Sequence, residues 1–303
     1  MKTLKFVLFS LSFFAVTRLQ GEQHAEEGVN LVERTTNVID FAHEAGAVML
    51  DFKGTCLLPE ARGEARIERK RDHIEIDGEF ENLQDATRFG PEYLTFVIWG
   101  ISPEGSPTNL GEVIPDRTKA RFNVTSELHA VALILTAEPY FAVSQPNDRV
   151  VMESTVNPAT QQKIGKTEAK YRLLPRGSYT ATAPTRLKAI AIDQNTPLDL
   201  YEARNAVFLA AWVGANNEAA ESFTKAQRLL QTAEAYHAGR AEAATVSMNA
   251  REAVRMAENA RQFALNHKSE TSLTQAPTEL AEVVSHVSSL PDECERSEKK
   301  SPE

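Results

Sequence analysis

Residues 89–143 read FGPEYLTFVIWGISPEGSPTNLGEVIPDRTKARFNVTSELHAVALILTAEPYFAV and hold two apolar segments separated by turn-rich sequence. Tyr93–Ile101 is rich in β-branched and aromatic residues and lacks proline, which predicts a strand, and Ala130–Ala137 is similarly apolar. Apolar side chains alternate onto both faces of each predicted strand, so both strands should be covered on both sides. An opposing sheet provides one cover, and either the N-terminal segment or the C-terminal helices provide the other.

Period-two alternation of apolar and polar residues extends to both sides of these segments. His73–Glu81 shows it most clearly, with Ile74, Ile76 and Phe80 on one face. The predicted strands are Asn37–Phe41, Ala47–Phe52, Gly63–Lys70, His73–Leu83, Tyr93–Ile101, Lys119–Thr125, Ala130–Ala137, Arg149–Ser154 and Ala169–Leu174. Short strands separated by turns, with no helical period among them, predict an antiparallel Ig-like β-sandwich over residues 35–190.

The pattern changes to a helical period after Thr196, which is expected to cap a helix whose first position is Pro197. Helices are predicted over residues 197–213, 217–238 and 249–267. Together they form an alanine-rich helical hairpin or three-helix domain over residues 196–267. The chain is therefore predicted to be α+β and to consist of two modules, a β-sandwich followed by helices.

The apolar positions of the predicted helices are mostly alanine, which lets antiparallel helices approach closely but buries little area per residue. We therefore expect these helices to dock onto the sandwich or onto a partner. Val207, Phe208 and Trp212 are the bulkier candidates for that interaction. The alternative is that these three side chains fill the core of the helical domain.

Residues 1–21 have the features of a secretory signal peptide. Lys2 and Lys5 precede the apolar run Phe6–Val16, which is too short to span a bilayer. An uncleaved N-terminal anchor is the alternative. No later segment is long and apolar enough to cross a membrane, so no transmembrane segment is expected in the mature chain. The expected location is periplasmic or secreted, with association to the outer membrane left open.

Polar segments flank the two predicted modules. Residues 22–34 are expected to be mobile and residues 268–303 to form a disordered polar tail, in which Leu280–Leu290 has the spacing of a short helix. The chain's two cysteines, Cys56 and Cys294, indicate neither a disulfide framework nor a metal site, and a long-range disulfide between them stays open. A net charge of −9 argues against nucleic acid and anionic membrane surfaces as partners.

None of the common catalytic or nucleotide-binding motifs occurs in the sequence, so we predict that the chain is not an enzyme and binds no cofactor. One candidate metal site exists. His73, Glu75 and Asp77 share one face of a predicted strand and offer the ligands of a metal-dependent enzyme. The alternative is the solvated face of a one-sided strand, which is the default in antiparallel sheets.

Several stretches are similar to secreted envelope proteins of Acidobacteria. They are FGPEYLTFVIWGISPEG and LTAEPYFAV within residues 89–143, IEIDGEFENL before them, and EARNAVFLAAWVGANNEAAESFTKAQRLLQTAE after them. The likeness covers residues 35–267, and it implies a β-sandwich and alanine-rich helices in a protein of the cell envelope. Such proteins often continue into an OmpA-like peptidoglycan-binding domain. This sequence has only the polar tail after His267, so the resemblance assigns no peptidoglycan-binding residues.

The first functional hypothesis is a non-enzymatic structural or interaction protein of the periplasm or cell envelope, with envelope proteins as partners. The alternative is a polysaccharide- or polymer-binding module that binds a cell-wall polymer and serves an envelope enzyme or complex. Exposed aromatic side chains on the sandwich would favour the alternative. Tyr140, Phe141 and Tyr179 are the candidates for that role.

Overall fold

A computed structural model describes residues 31–40, 47–156, 165–179, 192–193 and 195–288, without the side chains at 165–166 and 272–288. The predicted signal peptide, residues 22–30 of the predicted mobile segment, Cys294 and residues 289–303 of the predicted tail lie outside the described residues. Within the described part of the chain, no helix has both the length and the apolar character needed to span a membrane.

Ten strands in the described part of the chain form one antiparallel sheet. They are β1 (Val32–Asp40), β2 (Ala47–Gly54), β3 (Arg62–Arg69), β4 (Ile74–Glu81), β5 (Thr95–Ile101), β6 (Pro107–Val113), β7 (Lys119–Ser126), β8 (Ala130–Glu138), β9 (Val150–Val156) and β10 (Gly165–Leu173). Hydrogen-bonded neighbours follow the order β6–β5–β8–β9–β2–β3–β4–β7. β1 pairs with β10 along its whole length and joins the sheet at the first residues of β8.

The sheet curls until it is nearly barrel-shaped, with β6 and β7 side by side at the two ends of the strand order. The apolar side chains of the alternating strands fill its interior, where Ile67 of β3 lies opposite Ile76 of β4. Phe80 contacts Phe52 and Phe122 there, at ring-centroid distances of 4.9 and 5.0 Å. The α+β class and the antiparallel β region are confirmed. The Ig-like sandwich is not confirmed, because the strands belong to one continuous sheet.

One strand, β6, lies where the sequence predicted none. It begins at Pro107 and contains Gly111, and both residue types are unfavourable within strands. Pairing with β5 holds it in the sheet, with Gly111 opposite Ile98. Val113 of β6 packs into the interior core. The preceding residue, Glu112, therefore lies on the opposite face of the sheet.

β5 and β8 are buried along both faces, as their sequences predict. Ile98 and Leu135 belong to the core inside the sheet, whereas Trp99 and Ile134 belong to a second cluster on its outer face. The C-terminal helices, together with apolar side chains of β1 and β10, complete this outer cluster. The helices are thus the second cover of β5 and β8.

Among the described residues after the sheet there are four α-helices: α1 (Leu198–Trp212), α2 (Ala215–Glu218), α3 (Ala220–Ala238) and α4 (Ala243–Ser288). α4 packs against both α1 and α3. The predicted alanine seam is confirmed, because fully buried alanines line these contacts: Ala203, Ala206, Ala210, Ala226, Ala233, Ala250, Ala253, Ala257, Ala260 and Ala264. The same alanines share a core with the outer face of the sheet, so the helices dock onto it.

The helix ends differ from the sequence-based prediction. α4 begins at Ala243 and continues to Ser288, well beyond His267, where the polar tail was expected to start. Asn249 lies inside α4 and donates a hydrogen bond to the carbonyl of Thr245. Thr196 makes no capping hydrogen bond to α1, whose N-cap is Pro197. Packing against α1 and α3 stabilises α4.

Candidate functional site

Three carboxylates meet where the helices dock onto the sheet. Glu112 comes from the outer face of β6, whereas Asp199 and Glu202 come from the first two turns of α1. One carboxylate oxygen of each residue lies within 4.8 Å of the other two. We call these three residues the carboxylate cluster. Among the residues that the structure describes, no other group of three or more histidine, cysteine or acidic side chains converges so closely.

Arg251 of α4 neutralises part of the carboxylate cluster. Its Nη1 donates to Glu112 Oε2 at 2.6 Å and to Asp199 Oδ1 at 2.8 Å. The guanidinium carbon lies 3.7 Å from the ring centroid of Phe141, which is a cation–π geometry. The hydroxyl of Thr95 on β5 donates to the second oxygen of Glu112 at 2.7 Å. Both oxygens of Glu112 therefore have hydrogen-bond donors.

Glu202 is different, because its carboxylate has no such donor. The side chain is 0% exposed. Within the described chain, no donor lies in hydrogen-bond distance of either oxygen. Burial, followed by the neighbouring Glu112 carboxylate, raises the pKa of Glu202 well above its ordinary value. An uncompensated buried charge costs several kcal/mol, so Glu202 requires either a proton, which it can share with Glu112, or a cation.

A second buried polar group, centred on Glu258, joins α4 to the loop after β8. Glu258 accepts hydrogen bonds from the Tyr140 hydroxyl at 2.6 Å and from the Ser144 hydroxyl at 2.7 Å. Arg261, one turn further along α4, donates from Nε at 2.7 Å and lies over the ring of Tyr179. Charges and hydrogen bonds are matched within this group, so we assign it a structural role.

A third buried carboxyl, Glu138, ends β8. It accepts hydrogen bonds from the Thr136 hydroxyl at 2.5 Å and from the Asn147 backbone and side-chain amides at 3.1 and 2.6 Å. The indole N–H of Trp99 donates to Thr136 at 2.8 Å and extends the network into the outer core. Burial raises the pKa of Glu138 to about 8, despite these donors.

The candidate metal ligands His73, Glu75 and Asp77 do not converge on one point. The Nδ1 of His73 lies 2.8 Å from Asp72, and its Nε2 lies 3.7 Å from Glu75. Glu75 forms an ion pair with Lys70 at 3.2 Å. Asp77 accepts a hydrogen bond from the Asn123 amide on β7. These local pairs along an exposed strand face fit the solvated-face alternative.

Val207, Phe208 and Trp212 divide into two roles. Val207 is buried in the core shared by the helices and the sheet. Phe208 and Trp212 are 56% and 61% exposed. They lie one turn apart on the outer side of α1, and Arg204 lies one turn before them on the same side. We call Arg204, Phe208 and Trp212 the α1 aromatic stripe.

The candidates for stacking on a polysaccharide are buried. Tyr140, Phe141 and Tyr179 are 0%, 8% and 4% exposed. Tyr140 and Tyr179 contact each other edge to face beneath α4, with their ring centroids 6.3 Å apart. These rings offer no surface to a sugar. They therefore do not supply the exposed aromatic side chains that would favour the polymer-binding alternative.

No sequence pattern predicted a site that contains Glu112, Asp199 and Glu202. For Glu202 a signal was present, since it shares the apolar face of α1 with Ala206 and Leu209. A charged residue on such a face is unusual. Glu112 gave no signal, because β6 itself was not predicted. Arg251 lies 139 residues from Glu112, and no local pattern indicates their contact.

No protein-family model matches the chain, and comparison with curated proteins and with solved structures gives no significant match. The similarity to acidobacterial envelope proteins therefore stays a prediction from the sequence.

Proposed function

We propose that this chain is a non-enzymatic protein of the periplasm or cell envelope that binds an envelope protein through the α1 aromatic stripe. The observation that carries the proposal is the exposure of Phe208 and Trp212 on a helix that buries Leu200, Val207 and Leu209. Tryptophan and arginine are enriched among the residues that dominate binding energy at protein interfaces. Adjacent exposed aromatic side chains are therefore better explained by a partner than by the fold.

Contacts within the protein orient Arg204 of the stripe and hold the helix that carries the stripe in place. Arg204 is oriented by an ion pair with Glu234 of α3 at 3.0 Å and by the ring of Tyr201, 5.6 Å from its guanidinium carbon. The opposite side of α1 is anchored in the outer core through Ala206 and Ala210. A partner that binds Phe208 and Trp212 therefore meets a helix whose backbone is already in place, which lowers the cost of ordering this side of the interface.

The location rests on the N-terminal sequence. The apolar run Phe6–Val16, preceded by Lys2 and Lys5, is typical of an export signal. The similarity to secreted envelope proteins points to the same compartment. Cell fractionation tests the proposed location separately from partner binding. Recovery of the full chain in the cytosol with an intact N-terminus would exclude a periplasmic or envelope location.

Site-specific photo-crosslinking in living cells tests the binding surface. A photoreactive phenylalanine analogue replaces Phe208 or Trp212 in the full chain, and in a control it replaces Met248, which is 67% exposed on α4. We expect one discrete protein adduct from positions 208 and 212, and none from position 248. Trp212→Ser should abolish the adduct formed at position 208.

Three outcomes contradict the proposal. Irradiation could give no adduct at 208 or 212, or the same adducts at 248 as at the stripe. An adduct with a wall polysaccharide in place of a protein would support the polymer-binding alternative. Circular dichroism of each purified variant checks that the fold is retained. We expect it to be retained, because surface substitutions away from packed side chains usually change stability by under about 0.5 kcal/mol.

A further inference from the structure

Glu202 lies in a place that is unfavourable for a carboxylate unless something positive joins it. Its side chain is completely buried between α1 and the sheet, and both oxygens lack a donor within the described chain. Arg251, the nearest cation of the site, directs its hydrogen bonds to Glu112 and Asp199 instead. A protein keeps such a group at a cost of several kcal/mol when it is unpaired, which points to a ligand.

We propose that the carboxylate cluster binds a divalent cation that prefers oxygen ligands, such as Ca²⁺ or Mg²⁺, and that the bound ion fastens α1 to β6. The ligands are carboxylate oxygens of Glu112, Asp199 and Glu202, which lie within 4.8 Å of one another. This spacing lets one ion contact all three at the usual Ca²⁺–oxygen distance of about 2.3–2.6 Å after small side-chain shifts. A site of oxygen atoms alone disfavours Cu⁺ and Zn²⁺, which prefer sulfur or nitrogen.

The charges of the cluster agree with a divalent ion. Three carboxylates face one guanidinium, so the ionised cluster carries two formal negative charges. A divalent cation cancels them, whereas a single proton on Glu202 leaves one. Asp199 and Glu112 are also mostly buried, with 17% and 6% of their side chains exposed, so solvent screens this excess poorly.

A hollow lies next to residues that adjoin the cluster. A hollow of about 350 Å³ is lined by Thr95, Ile114, Pro115 and Leu198 among others. Thr95 hydrogen-bonds to Glu112, and Leu198 directly precedes Asp199. The hollow thus borders neighbours of two cluster residues, and this is the side from which we expect the ion to enter. The bound ion connects a strand to a helix, and its release weakens the contact between the two layers.

Thermal unfolding of the purified full-length chain tests the site. The protein is stripped with EDTA, dialysed, and melted with added CaCl₂ or MgCl₂. We expect the melting temperature to rise by about 5 °C when the free cation exceeds its dissociation constant about a hundredfold. Isothermal titration of the same sample should give one cation per chain.

Three variants locate the effect. Glu202→Gln keeps the shape of the side chain but removes the charge, so it should melt higher than the stripped wild-type protein and should not respond to the cation. Glu138→Gln, at an equally buried carboxyl outside the cluster, should retain the full response. Asp199→Asn is a second variant of a proposed ligand, and it should raise the dissociation constant for the cation at least tenfold.

The proposal is overturned if neither ion raises the melting temperature of the wild-type chain and titration shows no binding. It is equally overturned if Glu202→Gln responds like the wild-type protein, because the ion then binds elsewhere. A Glu202→Gln variant that is more stable than the wild-type protein, where the wild-type protein ignores both ions, identifies Glu202 as a protonated core residue.

Discussion

The hydroxyl of Tyr140 donates a 2.6 Å hydrogen bond to Glu258 across 118 residues of sequence and thereby joins the loop after β8 to the middle of α4. The bond lies in the buried layer between helices and sheet, next to the ion pair of Glu258 with Arg261. Both side chains of that pair are almost completely buried, with 6% and 5% exposed. The docking of the helices thus depends on charged groups as well as on apolar contact.

Removal of Glu258 should therefore be costly. Glu258→Ala leaves Arg261 buried without its carboxylate, and we expect a loss of about 3–5 kcal/mol in the free energy of unfolding. Urea denaturation followed by circular dichroism measures it. The matched control is Glu252→Ala on the same helix, whose pair with Arg255 is exposed and 3.6 Å long, and which should cost under about 1 kcal/mol. Equal losses for the two variants would contradict a structural role for the Glu258 network.

The two tryptophans of the chain report on one buried and one exposed environment. Trp99 is 0% exposed and hydrogen-bonded to Thr136, whereas Trp212 is 61% exposed on α1. Trp212→Phe should leave a blue-shifted emission that acrylamide quenches poorly. Trp99→Phe should leave a red-shifted emission that is quenched readily, and it should also lower the free energy of unfolding by about 1–3 kcal/mol because an indole hydrogen bond and packing are lost. Strong quenching of the Trp212→Phe protein would show that the helices do not cover β5.

Periodicity in the sequence was sufficient for most of the fold. Strands such as β4, where Ile74 and Ile76 alternate with acidic residues, can be predicted because one face is buried and the other solvated. The two apolar faces of β5 likewise predict burial on both sides, which the helices complete. These features are local, since each strand carries its own pattern.

The remaining features depend on contacts distant in sequence. β6 exists because β5 pairs with it, and its own Pro107 and Gly111 indicate a turn. The curvature that turns the sheet into a near-barrel is a property of all the strands together. The carboxylate cluster combines a residue of β6 with two of α1, so it could not be predicted before both elements and their docking were known. Phe208 and Trp212 could be proposed as interaction residues from the sequence because bulky residues are rare on these helices, whereas Val207, proposed with them, is buried.

Two glycines with similar positive φ angles should respond differently to substitution. Gly105, in the turn between β5 and β6, has a φ of 82°, and Gly214, between α1 and α2, has a φ of 88°. A Cβ atom at Gly105 would lie 1.8 Å from the backbone oxygen of Lys170 on β10, whereas at Gly214 the nearest atom is the Lys268 Nζ at 3.6 Å. Gly214→Ala should cost about 1–2 kcal/mol for the left-handed conformation alone. Gly105→Ala should cost about 1–3 kcal/mol more, because the turn must move away from β10.

Chemical denaturation of both alanine variants measures this difference. The comparison isolates the packing of the β5–β6 turn against β10, since the conformational term is common to both variants. If Gly105→Ala is no less stable than Gly214→Ala, the turn does not contact β10 in solution.

Glu138 should make the stability of the chain depend on pH. Burial raises its pKa to about 8 in the folded protein, whereas an unfolded glutamate titrates near its ordinary value of 4.5. Below the unfolded value both states hold the proton. As the pH rises from there to about 8, the unfolded state has lost the proton and the folded state retains it, so the free energy of unfolding falls by up to about 1.4 kcal/mol per pH unit. Above the folded value this contribution is constant.

Glu138→Gln removes the titration and keeps a neutral side chain in place. Urea denaturation of the wild-type and variant proteins, at several pH values between 5 and 9, gives the difference between their slopes. That difference isolates Glu138 from other buried carboxyls, such as Glu202, whose pKa burial also raises. We expect a wild-type curve that falls more steeply than that of the variant up to pH of about 8. Parallel curves over the whole range would mean that Glu138 is ionised in the folded state, held by the donors of Thr136 and Asn147.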